Sequence, residues 1–577
     1  MLPYINIPFE WLSSAVGTNT DEIKLLFTFL VSYPLCGVLK RIPESRRDLK
    51  NLFTIAVSLF YMVGLFDLWD GLRTLLISSA GIYAVASYAK GSPYMPWIGF
   101  IFVMGHLSIN QLRRQLKNDP SVIDITGAQM VLVMKLSAFC WNVADGAIPE
   151  VKLSTFQKDR RLEKLPSILD YTGYVLFFPS LLVGPAFDFA EYRRYIDCTM
   201  FDVPTTVDPA KKPPTRRNRK IPRSAIPALM KGASGLFWIF AFLQLGKFFY
   251  PSLLLSRKYS EYGFLRRIFT LHMVGFTTRT KYYGVWSLTE GACILSGLGF
   301  NGMDLKTGKI CWDRVRNINP WRVESAQNTR AYLSSWNMNT NSWLRNYVYL
   351  RVTPMGRKPG FRASMATFIT SAFWHGFYPG YYLSFVLASF IQNTAKNFRR
   401  YVRPFFVEPL YEKSEQKPKY KKKLYDIFSW LATQLTFSFV VAPFMVLGFV
   451  DSIRVWTSVY MYAVIGTMIS IIFFATPAKA LLAKKIQARD ARAATRVRHS
   501  EQLVRNASTD SITGDRLPVL GVVDDPQKEL DEAVKEIKAE LEDLVNSGRL
   551  GPEGLGSIMG KVDTLREYEN KKFQGTL

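Results

Sequence analysis

Long apolar runs that carry almost no charge restrict this chain more than any other feature of its sequence. Residues 25–39, 51–66, 74–89, 96–111, 171–187, 232–245, 427–450 and 455–478 are examples. A helix needs about 20 residues to cross the hydrocarbon core of a bilayer, and somewhat fewer where flanking Lys or Arg side chains reach back to the interface. With no water in that core, backbone polar groups must be satisfied within the segment, which selects helices. The expected fold class is therefore an all-α, polytopic membrane helix bundle. Several runs are short or interrupted by a polar residue, and the count expected is about 11 spans, some tilted or partly buried in the bundle.

Lys and Arg number 73 against 46 Asp and Glu, so the net charge is 73 − 46 = +27. A soluble chain this basic would suggest nucleic acid. Here the excess collects between apolar runs. Residues 211–223 (KKPPTRRNRKIPR) hold seven basic groups and no acid, and 399–423 and 484–498 are also rich in Lys and Arg. That pattern reads as topological bias and attraction to anionic membrane lipids, with no nucleic-acid partner. The first residues lack a basic n-region, so no cleaved signal peptide is expected. Asp21 and Glu22 precede the first run, and Lys40, Arg41, Arg46, Arg47 and Lys50 follow it. The positive-inside rule then puts the N-terminus in the lumen and the C-terminus in the cytosol. The five cysteines are scattered, with no CxxC pair, and suggest neither a disulfide framework nor a zinc site.

Three regions follow: a luminal lead (1–20), a membrane-embedded body (21–480) and a polar cytosolic tail (481–577). The body is expected to close with a hairpin, 427–478, whose helices are joined by Asp451 to Arg454. In the tail, Lys485, Arg489, Arg492 and Arg496 recur at helical spacing beside the membrane. Leu530, Val534, Ile537, Leu541 and Leu544 form a short a/d seam, which makes the tail helix 527–546 a candidate for weak self-association or for docking on the chain's own cytosolic face.

Four histidines are present. His499 lies in the basic tail, and His272 sits in a loop-like stretch near Arg266, Arg267 and Arg279. His106 lies in an apolar run and reads as a structural hydrogen bond between helices. His375 stands in TFITSAFWHGFYPGYYLSF. An imidazole inside an apolar helix is costly unless it is paired or lines a cavity. Small residues precede it, and Gly376, Pro379 and Gly380 interrupt the helix where a substrate could reach the ring. Upstream, SSWNMNTNSWLRNYVYLRV (334–352) brings Asn337 between Trp336 and Trp343. A buried Asn has four hydrogen-bonding sites to satisfy, and a tunnel histidine or a substrate carbonyl would take some of them.

Trp336-Asn337 with Trp343-Leu344-Arg345, followed 38 residues after the Asn by His375, resembles the membrane-bound O-acyltransferase superfamily. The stretches DITGAQMVLVMKLSAFCWNVADG, FFPSLLVGPAFDFAEY, WSLTEGACILSGLGFNG and SAFWHGFYPGYYLSF are similar to its lysophospholipid acyltransferase branch, and to the broad-specificity fungal members in particular. The likeness covers roughly residues 20–480. It implies a helical shell enclosing a tunnel in the endoplasmic reticulum membrane. Acyl-CoA would enter as co-substrate from the cytosol and the lysophospholipid from the bilayer. Carried onto this sequence, the catalytic residues are His375 and Asn337, with Asn339 and Asn341 near enough to compete for the Asn role. His375 would act as general base toward the lysolipid hydroxyl. Asn337 would orient the ring or donate to the thioester oxygen. No cofactor is implied, and no metal ligand set is seen.

Candidate substrate-binding residues are Trp336, Asn341, Trp343, Arg345, Trp374, Tyr381, Tyr382 and Glu290. Arg345, Arg351, Arg357, Lys358 and Arg362 are candidates for the CoA phosphates, and positive-inside topology explains them equally well. Lys135 and Glu290 lie where charges are rare in a membrane, and are expected to pair with each other or to face the watery part of the tunnel. Two alternatives stay open at this stage: acyl transfer to a sterol, diacylglycerol or protein, and a secondary transporter.

Overall fold

The computed structural model describes residues 4–117, 124–202, 214–215, 219–304, 307–353, 360–407 and 420–509. The tail helix 527–546, Arg357, Lys358 and most of the 199–224 loop lie outside them. Among the described residues there is no β-strand, only the isolated bridges Thr215–Pro222 and Met303–Ile310. The main body comprises Met1–Thr353 and Pro359–Ala491.

The chain opens with a short helix α1 (Ile7–Val16), whose Trp11, Ile7 and Leu12 are exposed. Helix α2 (Thr20–Arg41) starts where the Asn19 side chain accepts from the Asp21 N–H, with Asp21 and Glu22 in its first turn and Lys40 and Arg41 in its last. Both charge biases suit the helix dipole. Helix α3 (Arg47–Leu59) runs on through a π-helical turn to Leu65. Helices α4 (Trp69–Tyr88), α5 (Met95–Lys117) and α6 (Thr126–Gly146) pack side by side. Helix α6 is mostly buried, as a helix at a bundle core is.

Short helices α7 (Thr155–Arg160), α8 (Ile168–Val175) and α9 (Phe189–Ile196) follow. The apolar run 171–187 is thus not a span. Pro179 and Pro185 forbid a continuous helix, and the run folds as the end of α8, a 3-10 turn at Phe178–Ser180 and irregular chain, packed inside the body. Lys135 donates to the carbonyl of Tyr174 near the end of α8 and lies over the Tyr174 and Phe187 rings, 4.3 and 4.6 Å from their centroids. Its expected partner Glu290 instead pairs with Lys231 (3.0 Å) and approaches Arg316 (3.7 Å). The two charges sit against different helices, so each found its own partner.

Helix α10 (Ala225–Gly246) packs along α12 (Phe264–Ser296), with the single turn α11 (Arg257–Ser260) between them. On its other side α10 exposes Ile226, Leu229, Met230, Phe237 and Phe240, as a lipid-facing helix must. His272 lies within α12 rather than in a loop, and its Nδ1 is 2.9 Å from Ser438 Oγ. His106 Nδ1 is 2.8 Å from Ser78 Oγ of α4, the interhelical bond expected from the sequence.

Short helices α13 (Pro320–Glu324), α14 (Thr329–Leu333) and α15 (Met338–Leu344) lead to a π-helical turn (Arg345–Tyr349) and then to the antiparallel pair α16 (Phe361–His375) and α17 (Pro379–Tyr401). Helix α18 (Tyr420–Val446) packs on α17. The expected simple hairpin is replaced by a broken element. Asp451 to Arg454 lie inside α19 (Phe449–Ser458), and α20 (Tyr462–Ala475) is bent from it by 80°. The break falls at Tyr460 and Met461, both in the left-handed region, while the Trp456 ring stacks on Phe439 at 5.0 Å and donates to its carbonyl. Helix α21 (Ala478–Thr509) carries the basic stripe.

Helices α2, α6 and α18, α3 with its π turn, and α10 with the turn after it are long and apolar enough to cross a membrane. The bent pair α19–α20 makes a sixth if counted as one span. Helices such as α5 and α12 fall outside that set because polar and charged residues interrupt them.

Candidate active site

Helix α16 ends at His375 because Gly376 adopts φ +133°, open to glycine and strained for any side chain. Pro379 then starts α17. Gly380 lets the new helix approach the end of α18: a Cβ there would clash with the Pro443 carbonyl, and its N–H donates to the Leu447 carbonyl at 2.9 Å. The turn leaves the imidazole among aromatic rings. Phe385 stacks on it at 5.3 Å, and Trp374, Phe444 and Tyr381 stand 4.7, 4.8 and 5.7 Å away. No side chain among the described residues hydrogen-bonds the ring. It lines a cavity of about 470 Å³ that is mostly apolar in its walls.

Asn337 lines the same cavity. It heads α15 in the left-handed conformation, φ 45° and ψ 54°, which asparagine tolerates better than most residues. The free N–H groups at the start of α15 are satisfied from a distance: Asn317 accepts Met338 N–H on its backbone carbonyl (2.8 Å) and Asn339 N–H on its side-chain oxygen (3.0 Å). The Asn337 side chain is therefore not consumed as a helix cap. Its Oδ1 accepts from the Thr340 hydroxyl at 2.8 Å, which leaves the Nδ2 edge as the available one.

The other sequence-derived candidates divide. Trp374 and Tyr381 line the cavity with His375 and Asn337. Trp336, Asn341, Trp343, Arg345, Tyr382 and Glu290 are not among its lining residues. Trp336 packs edge-on against Tyr282, Tyr283 and Trp286. Asn341 donates to the carbonyls of Leu333 (2.5 Å) and Trp336 (2.7 Å), tying the loop that carries Asn337. Trp343 donates to Ser137 of α6 at 2.9 Å. Arg345 and Arg362 are exposed, and Arg351 is engaged bidentately by Asp145 at 2.9 and 2.5 Å while lying over the Trp141 ring. Sequence reasoning missed Gln111, Arg114, Gln115, Tyr282, Asn317 and Phe444, all on the cavity wall. The signal was present for the first three, whose i, i+3, i+4 spacing puts them on one helix face.

Residues 120–442 match the membrane-bound O-acyltransferase (MBOAT) family. The chain is 45% identical over 486 residues to a lysophospholipid acyltransferase of Schizosaccharomyces pombe, covering 84% of this chain and 92% of that protein. It is 42% identical over 469 residues to a lysophospholipid acyltransferase of Saccharomyces cerevisiae, 80% of this chain and 75% of the other. A mouse membrane-bound glycerophospholipid O-acyltransferase 1 is 29% identical over 447 residues, 75% of this chain and 84% of its own.

Proposed function

The chain belongs to the membrane-bound O-acyltransferase family, and from that premise we infer its reaction: it transfers a fatty acyl group to the free hydroxyl of a lysophospholipid, with acyl-CoA as donor, His375 as general base and Asn337 as donor to the thioester oxygen. The observation that carries the site assignment is an imidazole with no hydrogen-bond partner among the described residues, placed on the wall of one cavity with Asn337. The chemistry needs little else. The thiol of CoA is a good leaving group, whereas the lysolipid hydroxyl is a poor nucleophile until its proton leaves. A neutral His375 accepts that proton as the oxygen attacks the thioester carbon. Charge then develops on the thioester oxygen, where an Nδ2 donor from Asn337 stabilises it. When the intermediate collapses, the C–S bond breaks and the imidazolium returns its proton to the leaving sulfur, giving phospholipid and free CoA. Direct transfer of this kind needs no acyl-enzyme. The proposed setting is the endoplasmic reticulum membrane, with the N-terminus luminal and the C-terminus cytosolic.

The test is a free-thiol assay on purified protein with acyl-CoA and lysophospholipid. His375→Ala is expected to lower the rate by ~10²–10⁴-fold, the range typical of a lost general base, while the protein still inserts and elutes as the wild type does. Substantial activity in a correctly inserted mutant removes His375 from the base role.

A further inference from the structure

The final turns of α5 form a polar strip on a cavity wall that is otherwise mostly apolar. Gln111, Arg114 and Gln115 all line the cavity. The spacing places them on one helix face, over a length of about 6 Å at 1.5 Å rise per residue. Gln111 is 5% exposed. Its Nε2 donates to the backbone carbonyl of Trp374 at 2.5 Å, and its amide carbon would lie 3.8 Å from a Cβ placed at Gly376. The strip thus begins directly beside the turn that presents His375.

Two atoms of this strip are buried with no hydrogen-bond partner: Oε1 of Gln111 and Oε1 of Gln115. A buried carbonyl without a donor is costly, so such groups persist where a ligand completes them. Both are acceptors and ask for an N–H or O–H. Between them Arg114 supplies a positive charge. Its one ion-pair contact among the described residues is loose, Nε to Asp124 Oδ2 at 3.7 Å, and Asp124 is already turned to Thr126, whose N–H and hydroxyl it accepts at 3.0 and 2.8 Å. The guanidinium fork is therefore left for another anion. One acceptor beside the catalytic turn, then a cation, then a second acceptor matches a phosphate flanked by hydrogen-bond donors.

We propose that the C-terminal turns of α5 are the headgroup subsite for the acceptor lipid. Arg114 takes the phosphate, and the side-chain carbonyls of Gln111 and Gln115 accept from hydroxyl or ammonium donors next to it. This rests on the reading that the acceptor is a lysophospholipid, and assigns it a specific wall. The Asn337 wall, formed with Asn317, Asn339 and Thr340, is left to the thioester. The subsite also sorts headgroups. A primary ammonium satisfies the carbonyl of Gln115, whereas a quaternary ammonium has no N–H to give.

The experiment uses the full-length protein in detergent micelles, with thiol release read for lysophosphatidylethanolamine and lysophosphatidylcholine. Arg114→Gln is expected to raise the apparent KM for both lysolipids about tenfold, as loss of a charge-assisted hydrogen bond does. The KM for acyl-CoA stays constant, and Arg114→Lys recovers part of the loss. Gln115→Leu is expected to weaken the ethanolamine lipid at least about threefold more than the choline lipid. Arg114 is half-exposed and Gln115 sits near the helix end, so neither change threatens folding; Gln111 is left in place because it also braces the catalytic turn. A rise in the acyl-CoA KM instead, or no change in either KM, assigns this wall elsewhere and overturns the proposal. Equal losses on both lipids with Gln115→Leu overturn the headgroup-sorting role. A wild-type protein that releases no thiol with either lysolipid would defeat the parent reading rather than this one.

Discussion

His375 owes its availability to its neighbours: aromatic rings surround it and none offers it a hydrogen bond. Asn337 owes its own to two helpers, Asn317, which takes over the capping of α15, and Thr340, which holds one edge of the amide. Thr340→Val should remove the partner of Asn337 Oδ1 and let the amide turn over. The expected result is a fall in kcat of about tenfold with both KM values near wild type, and recovery in Thr340→Ser, which restores the hydroxyl. Equal damage from Val and Ser would mean that Thr340 serves packing alone. Of the three asparagines in the motif, Asn337→Ala should lose the most rate. Asn341→Ala should show its effect in thermal stability, because its amide holds the Leu333 and Trp336 carbonyls. Trp336-Asn337 and His375 were legible as a motif. The roles of Thr340 and Asn317 were not, because a hydroxyl or an amide becomes a positioning group only through the atom it touches.

Elements around the site are held by buried charge rather than by propensity. Two residues beyond the π-helical turn that follows α15, the Arg351 guanidinium grips Asp145 of α6, a carboxylate 2% exposed. Removing the cation leaves that charge buried and unpaired, which typically costs 3–5 kcal/mol. Arg351→Ala is thus expected to lower the thermal inactivation temperature in detergent, while the surviving protein keeps its KM for acyl-CoA. A normal melting curve with a raised acyl-CoA KM would return Arg351 to the list of phosphate ligands. Nearby, the Tyr347 hydroxyl lies 3.0 Å from both Asn142 Oδ1 and Asp188 Oδ1, and Arg160 reaches Asp188 at 2.6 Å. Such pairings join α6, α7, α9 and the π turn. They are invisible as sequence because charge runs there look like positive-inside bias.

Across the whole molecule, the residues that line the cavity fall between 111 and 447, and the family match ends at 442. Deletion of residues 510–577 should therefore preserve specific activity per folded molecule. A truncated protein that is well folded yet inactive would show that the tail completes the site. The charge asymmetry predicts residues 199–224, 396–426 and 479–577 on the cytosolic side, since basic loops are retained there during insertion. The sequence holds a single Asn-x-Ser/Thr site, Asn506-Ala507-Ser508, and on this topology it carries no glycan. Glycosidase treatment of microsomes should leave mobility unchanged, and protease should reach the tail in sealed vesicles. A glycan on Asn506, or a tail protected until the vesicles are opened, inverts the orientation.

The sequence by itself determined the helical membrane class, the apolar cores of α2, α3, α4, α5, α10 and α18, and the interhelical bond of His106, and it displayed the Trp-Asn and His pattern that resembles the family. These rest on local properties: apolar length, periodicity, breaker residues and a short pattern of Trp, Asn and His. Tertiary structure alone decided that 171–187 folds inside the body instead of spanning, that α19 and α20 bend, that Lys135 and Glu290 take separate partners, and that α5 supplies a wall of the cavity. Gln111 and Trp374 are 263 residues apart and meet at 2.5 Å. Contacts of that kind depend on where whole helices come to rest. A buried polar group is satisfied by whichever partner the packing brings within reach.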